Sequence, residues 1–198
     1  MIEARIQVDN VEEIKQRLGS FKEKAPTVLA NAINRTTTNI KKNMAQQTAE
    51  RYNIKSTDVR KTITITKATR TKLEGTAKSK ASPIALSKFK VSPNRPVSYA
   101  KGKPSPRVYK VAVKKDSASK PLDANPKGFI AIMKAGHKEH KGLFQRVSQA
   151  SKPIKQYFGP SVPQMIKNED IMNYIQNDAR STLQKRIDAE ISNILRKG

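Results

Sequence analysis

The residues of this 198-residue chain best suited to chemistry are His137 and His140, with Glu139 between them. On a helix the two imidazoles would share a face, and with Glu139 they could hold a divalent cation. The spacing argues against that use. A helical zinc site of the His-Glu-x-x-His type needs histidines four apart, and that pattern is absent. Lys138 and Lys141 oppose a cation, and Gly136 and Gly142 bracket the segment as the ends of a hairpin loop would. Other chemistries fare no better. The chain has no cysteine, which removes disulfides, thiolate nucleophiles and thiolate metal sites together. It has no phosphate-cradling Gly-x-x-x-x-Gly-Lys-Ser/Thr loop and no dinucleotide fingerprint. Gly159-Pro160-Ser161 resembles a nucleophile elbow only superficially, because Pro160 and Val162 suit a turn and Gly-x-Ser-x-Gly is missing. The reading is a protein without catalytic residues, cofactor or metal.

What the chain does carry is charge. It has 40 Lys and Arg against 16 Asp and Glu, a formal net charge of +24. Between Arg60 and Lys155 the only acids are Glu74, Asp116, Asp123 and Glu139, against roughly two dozen bases, so the middle holds the basicity. Such a field attracts nucleic acid or an acidic protein surface. Lys101, Lys103, Arg107, Lys110, Lys114 and Lys115 are the candidates for that contact. Tyr99 and Tyr109 lie among them, but the chain lacks Trp and any nucleic-acid-binding motif. Charge-only, non-specific DNA contact is the most the composition supports. No run of about 18 apolar residues spans a membrane. The N-terminus has no secretion signal pattern, so synthesis in the cytoplasm is expected.

The elements that must position these residues follow from periodicity. Ile2, Ala4, Ile6 and Val8 alternate as in a short strand. Asp9 or Asn10 can cap a helix with Val11, Ile14, Leu18 and Phe21 on one face, and Gly19 weakens its end. A long helix starts at Ala25-Pro26 and runs to about Tyr52-Asn53, with Leu29, Ile33, Ile40 and Met44 on the face expected to back a sheet. Thr36, Thr37 and Thr38 cost helix propensity but fit a packed face. Ser56-Thr57-Asp58 reads as one short helical turn. From Thr62 the period becomes two, and strand candidates follow at 62–66, 72–80, 83–89, 107–114, 128–134 and 142–147. Pro93, Pro96, Pro104 and Pro106 make 92–107 a basic arm, extended and mobile alone, that either reaches a neighbouring subunit or is a solvated loop. A final helix begins at Pro163 or Asn168. Its Ile175, Leu183, Ile187 and Ile191 form a winding stripe that packs on the chain's own sheet or against a second subunit. The expected fold is α+β, with N-terminal helices on a mostly antiparallel sheet or small sandwich and a long C-terminal helix. It is read as one domain: a helical part at 1–61, a basic β-rich core at 62–150, and a turn and helix at 151–198.

Between core and final helix lies Pro153-Ile154-Lys155-Gln156-Tyr157-Phe158-Gly159-Pro160-Ser161-Val162-Pro163-Gln164-Met165. Its prolines and glycine forbid a regular element across it, yet it is too apolar for an idle linker. It reads as a shaped turn packed against something. The segment resembles that of the phage minor tail protein Z family. The likeness extends upstream through Phe129 to His137 and Gly142 to Arg146, and downstream to Ile191. It rests on Gly136, His137 and Phe144, and on Ile154, Tyr157, Gly159, Pro160, Ser161, Val162 and Pro163. The chain departs from the family pattern at Lys138 to Lys141, read as an inserted basic loop.

The resemblance implies a structural virion protein, a tail-completion or neck component made in the host cytoplasm. It implies a ring of identical subunits at the head-proximal end of the tail, six-fold being the common case. Its expected neighbours are the tail terminator, the head-closure protein and the tail tube, with possible contact to genome DNA and none to membrane. The turn is expected to set the angle of the last helix, with Gly159 supplying a backbone conformation that other residues resist. The rival readings are a free, non-specific DNA-binding protein and a DNA-processing enzyme using His137 or Glu139.

Overall fold

The computed structural model describes residues 1–8, 11–97, 108–122, 127–135, 138–148 and 152–197. In chain order the elements are β1 (Ile2–Gln7), α1 (Val11–Leu18), α2 (Ala25–Arg51), α3 (Ser56–Arg60), β2 (Ile63–Thr66), β3 (Glu74–Ser79), β4 (Pro83–Ala85), β5 (Lys90–Ser92), β6 (Lys110–Ala112), β7 (Lys120–Pro121), β8 (Phe129–Ala135), β9 (Lys138–Arg146), β10 (Ile154–Gln156), β11 (Phe158–Ser161), α4 (Val162–Ile166) and α5 (Glu169–Lys197). Helical 3₁₀ turns occupy Gly19–Lys24 and Leu86–Lys88. The fold is α+β, and every strand pair is antiparallel. Among the described residues the strands form four small sheets rather than one. They divide between two compact units, Met1–Gln47 with Ser56–Ala81 and Pro163–Gly198, and Thr48–Lys55 with Ser82–Val162.

In the first unit α1 ends as its sequence dictates. Glu12 and Glu13 sit at its positive end and Lys15 and Arg17 at its negative end. Gly19 follows with φ +55°, the left-handed position that closes a helix. Along α2 the hydroxyls of Thr36, Thr37 and Thr38 each donate to the carbonyl one turn back, at 2.8 to 2.9 Å. That bond lets Thr36 and Thr37 be fully buried without an unpaired hydroxyl. The long helix backs the β1-β3-β2 sheet as expected. Gly75, Ala77 and Ser79 of the central β3 share its buried face. A Cβ on Gly75 would lie 2.7 Å from Ile33 Cγ2, so only glycine admits α2 this close.

The apolar stripe of α5 is taken up inside the same unit. Ile187 and Ile191 pack with Ile14 and Leu18 of α1 and with Ala25, Val28, Leu29 and Ala32 of α2 or its start. Ile175 is 2% exposed and Leu183 is partly buried. Thus Ile187 and Ile191 serve the chain's own core on α1 and α2, while Ile175 and Leu183 share a cleft with β1 of the sheet. Pairs along α5 reinforce it, with Arg17 2.6 Å from Asp188 and Arg35 3.3 Å from Glu190.

The second unit holds sheets β10-β9-β8, β11-β4 and β5-β6-β7. The β8–β9 hairpin pairs Phe129 with Phe144 through to Ala135 with Lys138. Lys138 to Lys141 is therefore strand and not an inserted loop. Pairing with the apolar β8 decides this over the flanking glycines, because Gly142 sits opposite Ala131 inside the ladder. The candidate strand at 107–114 shrinks to β6, and the one at 83–89 to β4 followed by a 3₁₀ turn.

Candidate functional site

The segment singled out in the sequence is more regular than its prolines suggest. Ile154–Gln156 forms β10 on the edge of β9, and Phe158–Ser161 forms β11 on β4. Pro153 lies just before β10 and Pro163 in the first turn of α4, where no N–H is required. Pro160 falls between the pairs Phe158–Ala85 and Ser161–Pro83, at a register shift. A ladder hydrogen bond is not demanded at such an irregularity, so proline is tolerated there. That is why the expectation of no regular element fails.

Tyr157, between the two strands, is the fastener. Its amide donates to the Leu143 carbonyl at 2.8 Å, and its own carbonyl accepts from the Leu86 amide at 3.0 Å. Its hydroxyl donates to Gln145 Oε1 at 2.6 Å. Burial pushes its phenol above the usual value of 10.0. Both faces of the turn are thereby held, by β9 on one side and the Leu86 turn on the other.

Gly159 is required for a different reason than expected. Gly19 is the only glycine at positive φ among the described residues, so Gly159 has backbone angles open to other residues. Space is what it supplies. A Cβ there would lie 2.8 Å from Phe89 Cε2 and 3.1 Å from Leu86 Cδ2. Phe89 and Leu86 are buried and cannot retreat into solvent. Val162, Pro163 and Ser161 are buried, Ile154 and Pro160 half-buried. Phe144 is buried against Phe129, with ring centroids 6.1 Å apart. Phe158 behaves differently, being 56% exposed. Leu86, Phe89 and Gln145, which complete the turn, carried no sequence signal of that role, because each meets it from a distant strand or turn.

The other candidates separate. Gly136 and His137 lie outside the described residues, as do Lys101, Lys103, Pro104, Pro106 and Arg107. Glu139 and His140 are neighbours on β9 and so point to opposite faces. The His140 Nε2 lies 3.1 Å from Gln156 Nε2. Pro93 and Pro96 belong to a start of the arm that is tethered: Lys141 Nζ donates to the carbonyl and side-chain oxygen of Asn94 at 2.5 Å each, and the Tyr109 hydroxyl donates to the Arg95 carbonyl at 3.2 Å. Tyr109 is 3% exposed, so its ring is not available to stack on a base. Lys110, Lys114 and Lys115 are exposed. Among the described residues no helix is long and apolar enough to cross a membrane.

A proline- and glycine-shaped turn pinned on both sides by backbone hydrogen bonds is a structural device, of the kind a protein uses to present a surface. The family model described as prophage minor tail protein Z (GPZ) matches residues 8–197. The chain belongs to that family of structural phage tail proteins. Neither the curated proteins nor the solved structures searched gave a match.

Proposed function

We propose that this protein completes the tail at its head-proximal end, as one subunit of a cyclic, six-fold ring that helps join tail to head. The observation that carries this reading is the family match over nearly the whole chain. The geometry adds support. Phe158 leaves much of its ring in water while Tyr157 and Gly159, on either side, are locked in place. A rigidly held, exposed aromatic suits a contact between subunits better than a solvated surface. On this reading the turn from Ile154 to Pro163 is the assembly element, and the tail terminator, head-closure protein and tail tube are its neighbours. The exposed Lys110, Lys114 and Lys115 would face genome DNA or an acidic surface of those neighbours. The net charge of +24 favours a second reading, a free non-specific DNA-binding protein.

Electron microscopy of lysates from a phage lacking this gene tests the choice. Separate heads and tails, or tailed but non-infectious particles, are expected. Normal infectious particles would overturn tail completion and leave DNA binding as the leading reading.

A further inference from the structure

The first unit contains a cleft of about 690 Å³ between α2, α3, the residue following β2, and α5. Five cations line it: Arg35, Lys42, Arg60, Lys67 and Arg186. No carboxylate does, among the described residues. Arg35 is paired with Glu190, whereas the other four have no ion pair among the described residues. Asp178 accepts from the Asn39 and Asn43 side-chain amides at 2.6 Å and is thus engaged. Between the cations stand neutral polar side chains, among them Gln46, Ser56 and Thr57. Asp58 of α3 adjoins Thr57 but does not line the cleft, so the four cations repel one another there, which an anion relieves.

We infer that this cleft binds the phosphodiester backbone of nucleic acid. Arg and Lys with Ser, Thr and Gln donors between them are the groups that contact phosphate oxygens. No aromatic lines the cleft, so bases have no stacking platform, and the binding is independent of sequence. The site joins the start of the basic middle, which supplies Arg60 and Lys67, to the two helical ends, which supply Lys42 and Arg186. It stands whether or not the protein forms a ring.

The test uses the purified full-length protein and a fluorescent 20-base-pair duplex, with anisotropy read across a salt series. One variant carries Lys42→Ala, Arg60→Ala, Lys67→Ala and Arg186→Ala. A control carries Lys90→Ala, Lys120→Ala, Lys134→Ala and Lys155→Ala, equal in charge and exposed on the second unit. At ~0.9 per neutralised phosphate, the first variant should lower the slope of log K against log salt by about 3 to 4, and the control by less than about 1. All eight side chains are exposed, so both variants should keep the native circular dichroism. Equal loss in the two variants overturns the inference, since it reports net charge alone. So does displacement of the duplex by polyglutamate of matched charge at lower concentration than by unlabelled duplex, which would make the cleft a dock for acidic protein.

Discussion

Gly159 carries the sharpest prediction. A Cβ placed there falls 2.8 Å from Phe89 Cε2 and 3.1 Å from Leu86 Cδ2, where carbon contacts prefer ~3.5–4.0 Å. Phe89 is 5% exposed and Leu86 9%, so the overlap is relieved only by shifting packed groups. Overpacking of this kind costs about 1–3 kcal/mol. Gly159→Ala should take the lower end of that range and Gly159→Val, with two more methyl groups, the upper end. For a chain of this length about 1 kcal/mol moves the melting temperature by 2–4 °C, so Ala should lower Tm by about 2–4 °C and Val by about 6–12 °C. Thermal unfolding followed by circular dichroism reads both. The decisive comparison is a double-mutant cycle with Phe89→Leu, which removes the nearest ring carbon. In that background Gly159→Ala should cost clearly less. An alanine variant as stable as the parent, or one equally destabilised in both backgrounds, would refute the steric argument. On the proposed assembly role of this turn, incorporation into virions should fall with stability.

Further outcomes follow from the same geometry. Tyr157→Phe removes the 2.6 Å bond to Gln145 and should cost about 1 kcal/mol in urea unfolding. Burial raises the phenols of Tyr157 and Tyr52 above 10.0, so their neutral forms are favoured in the folded state. Stability should be level below pH 10.0 and decline as pH rises through the higher folded-state values, which tyrosinate absorbance and Tm together would record. Asp178→Ala takes from the Asn43 amide, 8% exposed, its 2.6 Å acceptor and leaves Asn39 only Thr182 at 3.3 Å, and should cost about 1–3 kcal/mol. Arg17→Ala breaks a half-exposed pair with Asp188 and should cost under about 1 kcal/mol, measured the same way. Ile187→Ala should destabilise the isolated protein by about 2–5 kcal/mol, as a core truncation does. Unchanged stability with lost subunit association would instead place Ile187 at an interface.

Much of the local architecture was legible. The threonine alternation at Thr62 to Thr66 marks β2, Ala25-Pro26 marks the start of α2, and Gly19 marks the end of α1. These signals are local, since a cap or a period depends on residues within a turn or two. The turn was recognisable as unusual, and Gly159 and Phe144 do sit at close contacts while the Tyr157 hydroxyl is hydrogen-bonded. Its regularity was not legible. Whether Pro160 breaks a strand or falls at a register shift depends on β4, and nothing near Pro160 encodes that pairing. The same holds for Lys138 to Lys141, where flanking glycines suggested a loop and the partner strand β8 made a ladder.

By itself, then, the sequence determined the kinds of element, the large positive charge, the lack of cysteine chemistry and the family. Tertiary structure alone decided which residues meet. It set Gly159 against Phe89, turned Ile187 and Ile191 of α5 inward onto α1 and α2, and buried the ring of Tyr109. It also drew Lys42, Arg60, Lys67 and Arg186 around one cleft, although they lie in separate stretches of the chain. The physical reason is the range of the forces involved. Backbone propensity acts over a few residues, whereas close packing and charge clustering act through space between segments that only the completed topology brings together.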